Sequence, residues 1–138
     1  MAYLSLSPVS VGILTALNVA GLTALVGTRI YDDIPQAPVY PFVWYEVDET
    51  DVRGFGMVGL PEVEIRVHTF STYEGMKEAQ SITQKVIELL RDQHITVTGY
   101  QQAGRVFYDR TVSAQDELIN GVKVREVVAL FRVYVEEA

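Results

Sequence analysis

Apolar residues recur at two different spacings along the chain, and each change of spacing marks a change of element. Between Pro8 and Gly27, the residues Ile13, Leu14, Leu17, Gly21, Ala24 and Leu25 follow helical spacing, with Val9, Leu22 and Val26 widening the stripe. Ser7 can accept hydrogen bonds from orphan amides, and Pro8 lacks an N–H that the first helical turn would leave unpaired, so the pattern predicts one helix starting there. Gly27 is placed to end it. The small side chains of Ala20, Gly21 and Ala24 predict close backbone packing against a sheet or a partner helix. Thr28 to Tyr40, with Asp32-Asp33, Pro35 and Pro38, reads as an irregular connection.

The spacing then shortens to two. Pro41 to Val47 sets Phe42, Trp44 and Glu46 against Val43, Tyr45 and Val47, a strand with apolar residues on both faces at its start. Asp48 to Leu60 is acidic and then glycine-rich, which predicts a mobile loop ended by Pro61. Glu62 to Phe70 alternates most cleanly: Val63, Ile65, Val67 and Thr69 point to a core, while Glu62, Glu64, Arg66 and His68 point to water. Ser71 and Glu74 have the spacing of a capping box, and Tyr73, Met76, Ala79, Ile82, Val86 and Leu89 line one side of the helix predicted to follow, to about Asp92. Ile95 to Thr98 and Arg105 to Val112 read as strands, Asn120-Gly121 as a type I′ turn, and Val122 to Val135 as a long β-rich segment. The expected fold class is α+β: a mixed or mainly antiparallel sheet packed by two main helices, in a single domain over residues 1–138.

Composition agrees with one folded domain. A chain of 138 residues with 49% hydrophobic and 21% charged residues is far from the composition of disorder, and a chain of this size buries roughly two thirds of the surface it exposes when unfolded. No cysteine is present, so a disulfide framework, a thiolate zinc site and a cysteine nucleophile are all excluded. This fits synthesis in a reducing cytoplasm. With 18 acidic against 11 basic residues the net charge is −7, so the chain as a whole repels a phosphate backbone, and groove-reading nucleic-acid binding is not expected. Met1 to Thr28 carries no charged side chain, which raises a membrane reading. Ser10, Gly12, Thr15, Asn18, Gly21 and Thr23 interrupt the apolar run and no Lys or Arg precedes it, so a buried helix is the expectation and no membrane partner is assigned.

Candidate chemistry is sparse. Gly54-Phe-Gly-Met-Val-Gly59 has the G-x-G-x-x-G spacing, but Pro61 and an alternating strand follow where a phosphate-binding loop needs a helix N-terminus. Asp48, Glu49 and Asp51 would also repel phosphate. A docking loop is the better reading, and Arg53, Phe55 and Met57 are its candidate contacts with another subunit. Glu62, Glu64 and His68 share a strand face and suggest a metal. Glu64 and His68 lie about 13 Å apart at strand rise, so only a partner strand could complete a site. Asp48 to Asp51 lacks the spacing of a calcium loop. Trp44 and the tyrosines could form a stacking platform, yet the charges beside Trp44 are Glu46 and Asp48 rather than the basic residues a nucleic acid needs. No catalytic residue, cofactor or metal is assigned.

Three local sequences, Ala24-Leu-Val-Gly-Thr-Arg-Ile-Tyr-Asp-Asp, Pro41-Phe-Val-Trp-Tyr-Glu, and Val63-Glu-Ile-Arg-Val-His-Thr-Phe leading to Glu78-Ala79-Gln80, together with the order of elements, resemble the tail-completion or tail-terminator family of long-tailed phages. The resemblance covers most of the chain and is weakest in the first dozen residues and after about Gln101. It implies an α+β fold and a ring of copies, usually a hexamer, that stops tail-tube growth and joins the tail tube to the head connector in the virion. It implies no catalytic residue. DNA would pass the ring without specific binding, and Glu62 and Glu64 are the candidate lumen-facing residues. A head-completion or stopper connector is the first alternative, and a small nucleotide- or metal-binding enzyme domain using the glycine loop is the second.

Overall fold

A computed structural model of the chain describes residues 6–50, 62–114 and 116–137. In chain order the elements are α1 (Leu6–Leu17), α2 (Ala20–Val26), β1 (Ile30–Tyr31), β2 (Phe42–Thr50), β3 (Glu62–Ser71), α3 (Lys77–Leu90), β4 (Tyr100–Ser113), β5 (Glu117–Ile119) and β6 (Val122–Glu137). They build one six-stranded sheet in the order β1-β2-β3-β6-β4, with β5 paired to the start of β6. β1 runs parallel to β2 and every other pairing is antiparallel, so the sheet is mixed and the α+β class holds. The Tyr40–Pro41 peptide that leads into β2 is cis.

All three helices pack on one face of the sheet. β3 shows why: Val63, Ile65, Val67, Thr69 and Ser71 are buried while the residues between them are half-buried, the alternation that a strand with one helix-covered face requires. From β6, Ala129, Phe131, Val133 and Val135 join that core, from β2 Val43 and Tyr45, and from α3 Ile82, Val86 and Leu90.

The single long helix expected from Pro8 to Gly27 is instead two, bent by 84° at Asn18 and Val19. Val19 is extended, and its carbonyl accepts from the amides of Leu22 and Thr23 to start the second helix. The reason lies in which apolar residues need burial. Val9, Ile13 and Leu17 form one stripe along α1, but at about 100° per residue a straight helix would carry Leu22 some 220° around from Val9. The bend turns Leu22 and Val26 back into the core, where both are fully buried, and leaves Leu14, Gly21, Ala24 and Leu25 exposed. Gly27 ends α2 as expected, with φ of 62° and its amide bonded to the Thr23 carbonyl. Among the described residues no single helix is long and apolar enough to cross a membrane.

The predicted close approach falls at a different glycine. A Cβ on Gly12 would stand 2.5 Å from the Thr96 carbonyl oxygen, whereas one on Gly21 would meet only the flexible end of Lys85. Thr96 belongs to the Ile95 to Thr98 segment, which alternates as a strand should but pairs with none. Its buried Ile95 and Val97 pack under α1, and the Ile95 amide bonds to the Gln102 side chain at 2.8 Å.

The capping box is also absent. Ser71 is the last residue of β3; its hydroxyl accepts from the Tyr73 amide at 3.0 Å and donates to Glu78 at 2.8 Å. Gly75, with φ of 92°, turns the chain before α3 can start, so the helix begins two residues later, at Lys77. Asn120 and Gly121 are both left-handed, with φ of 53° and 79°, and join β5 to β6 in the hairpin the sequence predicts.

Candidate functional site

Among the described residues no helix covers the second face of the sheet, and charged and polar side chains of β2, β3 and β6 gather there. The antiparallel register sets Trp44 opposite His68, Glu46 opposite Arg66, and Asp48 opposite Glu64 on β2 and β3, and sets Glu64 opposite Arg132 and Glu62 opposite Tyr134 on β3 and β6. Strand pleat sends all of these to one side.

Arg66 is the hub of the face. Its guanidinium reaches Glu46 at 3.3 Å and Glu64 at 2.8 Å, and it also holds Asp48. Burial works against the charge on Arg66, but the three carboxylates outweigh it and hold the group protonated beyond its usual range. Glu46 is displaced the other way. Burial pushes its carboxyl up, and hydrogen bonds from Arg66 and His68 overcome that push, leaving it below the usual carboxylate range.

His68 sits between two carboxylates, with Nε2 at 2.6 Å from Glu46 and Nδ1 at 2.5 Å from Glu126. A neutral imidazole can donate to only one of them, so both contacts are hydrogen bonds only while the ring carries both protons. The ring stacks on Trp44, with centroids 4.4 Å apart, and three neighbouring strands are tied together through it. At the far end of β3, the Tyr134 hydroxyl donates to Glu62 at 2.8 Å; that bond, aided by burial, raises the phenol above its ordinary range and keeps it a donor.

Where the irregular segment before β2 crosses this face, Tyr40, Phe42, Phe70, Ile119 and Val124 enclose a mostly apolar cavity of about 310 Å³ rimmed by Glu117 and Glu126. Phe42 and Phe70 stack with centroids 4.7 Å apart and form its floor.

The residues singled out from sequence divide cleanly. Glu62 and Glu64 lie on this face, half-buried, each already bonded to a neighbour. Arg53, Phe55 and Met57, with the glycine motif Gly54 to Gly59, lie outside the described residues. The metal idea on β3 meets a different arrangement: neighbouring strands do bring carboxylates to His68, but to opposite ring nitrogens, and among the described residues no three His, Asp or Glu side chains converge to hold an ion. Sequence reasoning missed the roles of Glu46, Arg66 and Glu126. The signal was present in part, because alternation alone puts Glu46 and Asp48 on the polar face of β2 and Glu64 and Arg66 on that of β3, while the register that joins them is not written in either strand.

Comparison with known proteins gave two findings. The family described as Tail completion protein gp17 matches residues 12–136. Among solved structures, a chain from the virion of a native gene transfer agent (GTA) particle superposes with a TM-score of 0.75 at 20% sequence identity, covering 96% of this chain and 99% of that one. The comparison with curated proteins gave no match.

Proposed function

The chain belongs to the tail completion protein gp17 family and is a structural, non-enzymatic protein of the virion tail, and on that premise we propose that it acts as a ring of copies, six by expectation, closing the head-proximal end of the tail tube. In that place the ring ends tube growth and joins the tube to the head connector. Each copy contributes one domain.

The division of the molecular surface carries the reading. Residues 6–28, which include α1 and α2, carry no charged side chain, and Val11, Leu14 and Leu25 stand exposed there. A lone small protein gains nothing from such a surface, whereas closed symmetry buries it. The opposite sheet face is rich in carboxylates, which suits a lumen that DNA has to pass without adhering. Glu62 and Glu64 are the proposed lumen residues on that face. Arg53, Phe55 and Met57 are the proposed contacts to the tube or the connector.

Particles assembled without this protein test the proposal. The expected result is tail tubes of uncontrolled length that do not join filled heads, with normal tubes restored when the purified chain is added during assembly. Copurification of the chain with empty heads and not with tubes would favour a head-completion role in its place.

A further inference from the structure

The sheet ends on both sides in strand edges that the described residues leave unpaired. On one side, β1 covers β2 at Val43 and Trp44 alone. The Val43 amide bonds outward to the Arg29 carbonyl, so the pleat points the backbone groups of Tyr45, Val47 and Glu49 outward as well, and among the described residues no strand meets them. A cleft of about 460 Å³ opens beside this edge, between Ser7 and Ser10 of α1 and Asp32. On the other side, β4 is closed at Val106, whose amide and carbonyl bond to Gln93 and Asp92. From Tyr108 onward no described strand pairs with its outer edge, and Asp109 to Ser113 are five consecutive exposed residues, so neither face of the strand is covered there. With the bulge between Tyr108 and Arg110, the outward backbone groups in this stretch belong to Tyr108, Thr111 and Ser113.

The two edges fit each other. β2, β3, β6 and β4 alternate in direction, so β4 of one copy laid beside β2 of another continues the antiparallel pattern. β1 stops such a strand at Tyr45, and the Asp92 to Gln93 segment stops it at Tyr108, which sets Ser113 opposite Tyr45, Thr111 opposite Val47 and Tyr108 opposite Glu49. Every outward backbone group then meets an outward group. Charge agrees: Arg110 comes opposite Asp48 on the open face, and Arg91, which stands over the Tyr108 ring, comes beside Glu49 on the helix face. Pairing β2 with β2 would set Glu46, Asp48 and Glu49 among their like, and pairing β4 with β4 would bring Arg91 and Arg110 of both copies together. The edges face away from each other across four strands, so one neighbour cannot occupy both, and each copy binds a different neighbour on each side.

We propose that β4 of one copy, from Tyr108 to Ser113, pairs with the β2 edge of the next, from Tyr45 to Glu49, so that one continuous sheet closes the ring. The inference rests on the ring reading and names the edges that join. With the uncovered face turned inward, six copies bring about 24 such strands, which at about 4.8 Å each close a cylinder roughly 40 Å across at the backbone, wide enough for a DNA duplex.

The chain has no cysteine, so engineered pairs report contacts without background. Arg110→Cys combined with Asp48→Cys should give, on mild oxidation, a disulfide-linked ladder of copies up to the full assembly. Within one copy the two positions lie three strand spacings apart, at least about 14 Å, too far for a disulfide. Arg110→Cys combined with Gln84→Cys, on the exposed side of α3, should give no ladder. Thr111→Pro removes an outward amide and leaves the bonds to β6 in place, so it should keep the circular dichroism of the parent and reduce the assembly to its 15.4 kDa single chain. An intact ring that yields no ladder, or a Thr111→Pro ring of unchanged mass, overturns the edge pairing while leaving the ring reading in place. Linked pairs from Arg110→Cys alone, with no longer products from the double variant, assign β4 to β4 and also overturn the proposal. A parent chain that stays single in the presence of tubes defeats the ring reading, and this contact with it.

Discussion

Replacing Arg66 with methionine keeps the aliphatic stem over the sheet and removes the guanidinium that Glu46, Glu64 and Asp48 share. Three carboxylates on adjacent strand positions then lose the counter-charge they share, and Glu46 keeps only His68 of the two donors that hold it ionised. The side chains of Arg66, Glu46 and Glu64 are each 30% exposed, so water screens part of the loss. Hydrogen bonds to charged groups at such depth contribute about 1–3 kcal/mol in total once screening is counted. For a chain of this length that range corresponds to a fall in Tm of roughly 3–15 °C.

The pH dependence has a fixed sign. The Glu46 carboxyl lies below its ordinary value in the folded chain, so its contribution is complete above the unfolded value near about 4.3 and is lost as the pH falls through the folded one. The gap between parent and Arg66→Met should therefore be widest at neutral pH and close on acidification below about pH 4. Urea unfolding at fixed protein concentration measures it. A double-mutant cycle with Glu46→Gln should return a coupling of about 0.5–3 kcal/mol. A loss smaller than about 0.5 kcal/mol at pH 7, or a gap that widens in acid, refutes the account of this face.

Gly12→Ala should lower stability by about 1–3 kcal/mol because the new methyl meets the Thr96 carbonyl, whereas Gly21→Ala should raise it by up to about 1 kcal/mol as Lys85 swings aside and helix propensity improves; thermal unfolding of the two variants side by side decides this. Gly121→Ala forces a Cβ into a left-handed turn at φ of 79° and should cost about 1–2 kcal/mol, read in the same assay. Reversing charge at both Glu62 and Glu64 should slow or stall DNA passage in assembled particles, and unchanged infection or transfer counts removes both residues from the lumen. Protease should cut between Arg53 and Leu60 in the free chain and fail to do so in assembled tails, and equal cutting in both states removes that segment from the interface.

Much of the architecture was legible in the chain because period two and period 3.6 are written plainly where one face is buried. β3 shows this best, its burial matching its alternation at each of its ten positions. The first helix was misread because periodicity cannot show a bend: residues 13, 14, 17, 21, 24 and 25 do share a side of a straight helix, and it took the sheet's demand for Leu22 and Val26 to break it. Ser71 and Glu74 have the spacing of a cap, but the left-handed Gly75 directly after Glu74 delays the helix to Lys77, and no local pattern weighs the two. The Ile95 to Thr98 alternation reflected packing under α1 and not pairing, a distinction that depends on whether a neighbour strand is in reach. Apart from Glu64 on the same strand, the partners of Arg66 and His68 lie 18 to 58 residues away, so the network becomes visible only with the strand register.

The claim that this protein works through contacts among its own copies is most directly tested by native mass measurement of the purified chain, alone and with tail tubes. The account predicts a closed assembly of about six chains of 15.4 kDa each, seated at one end of the tube. A single chain at every concentration, with no affinity for the tube, would contradict it.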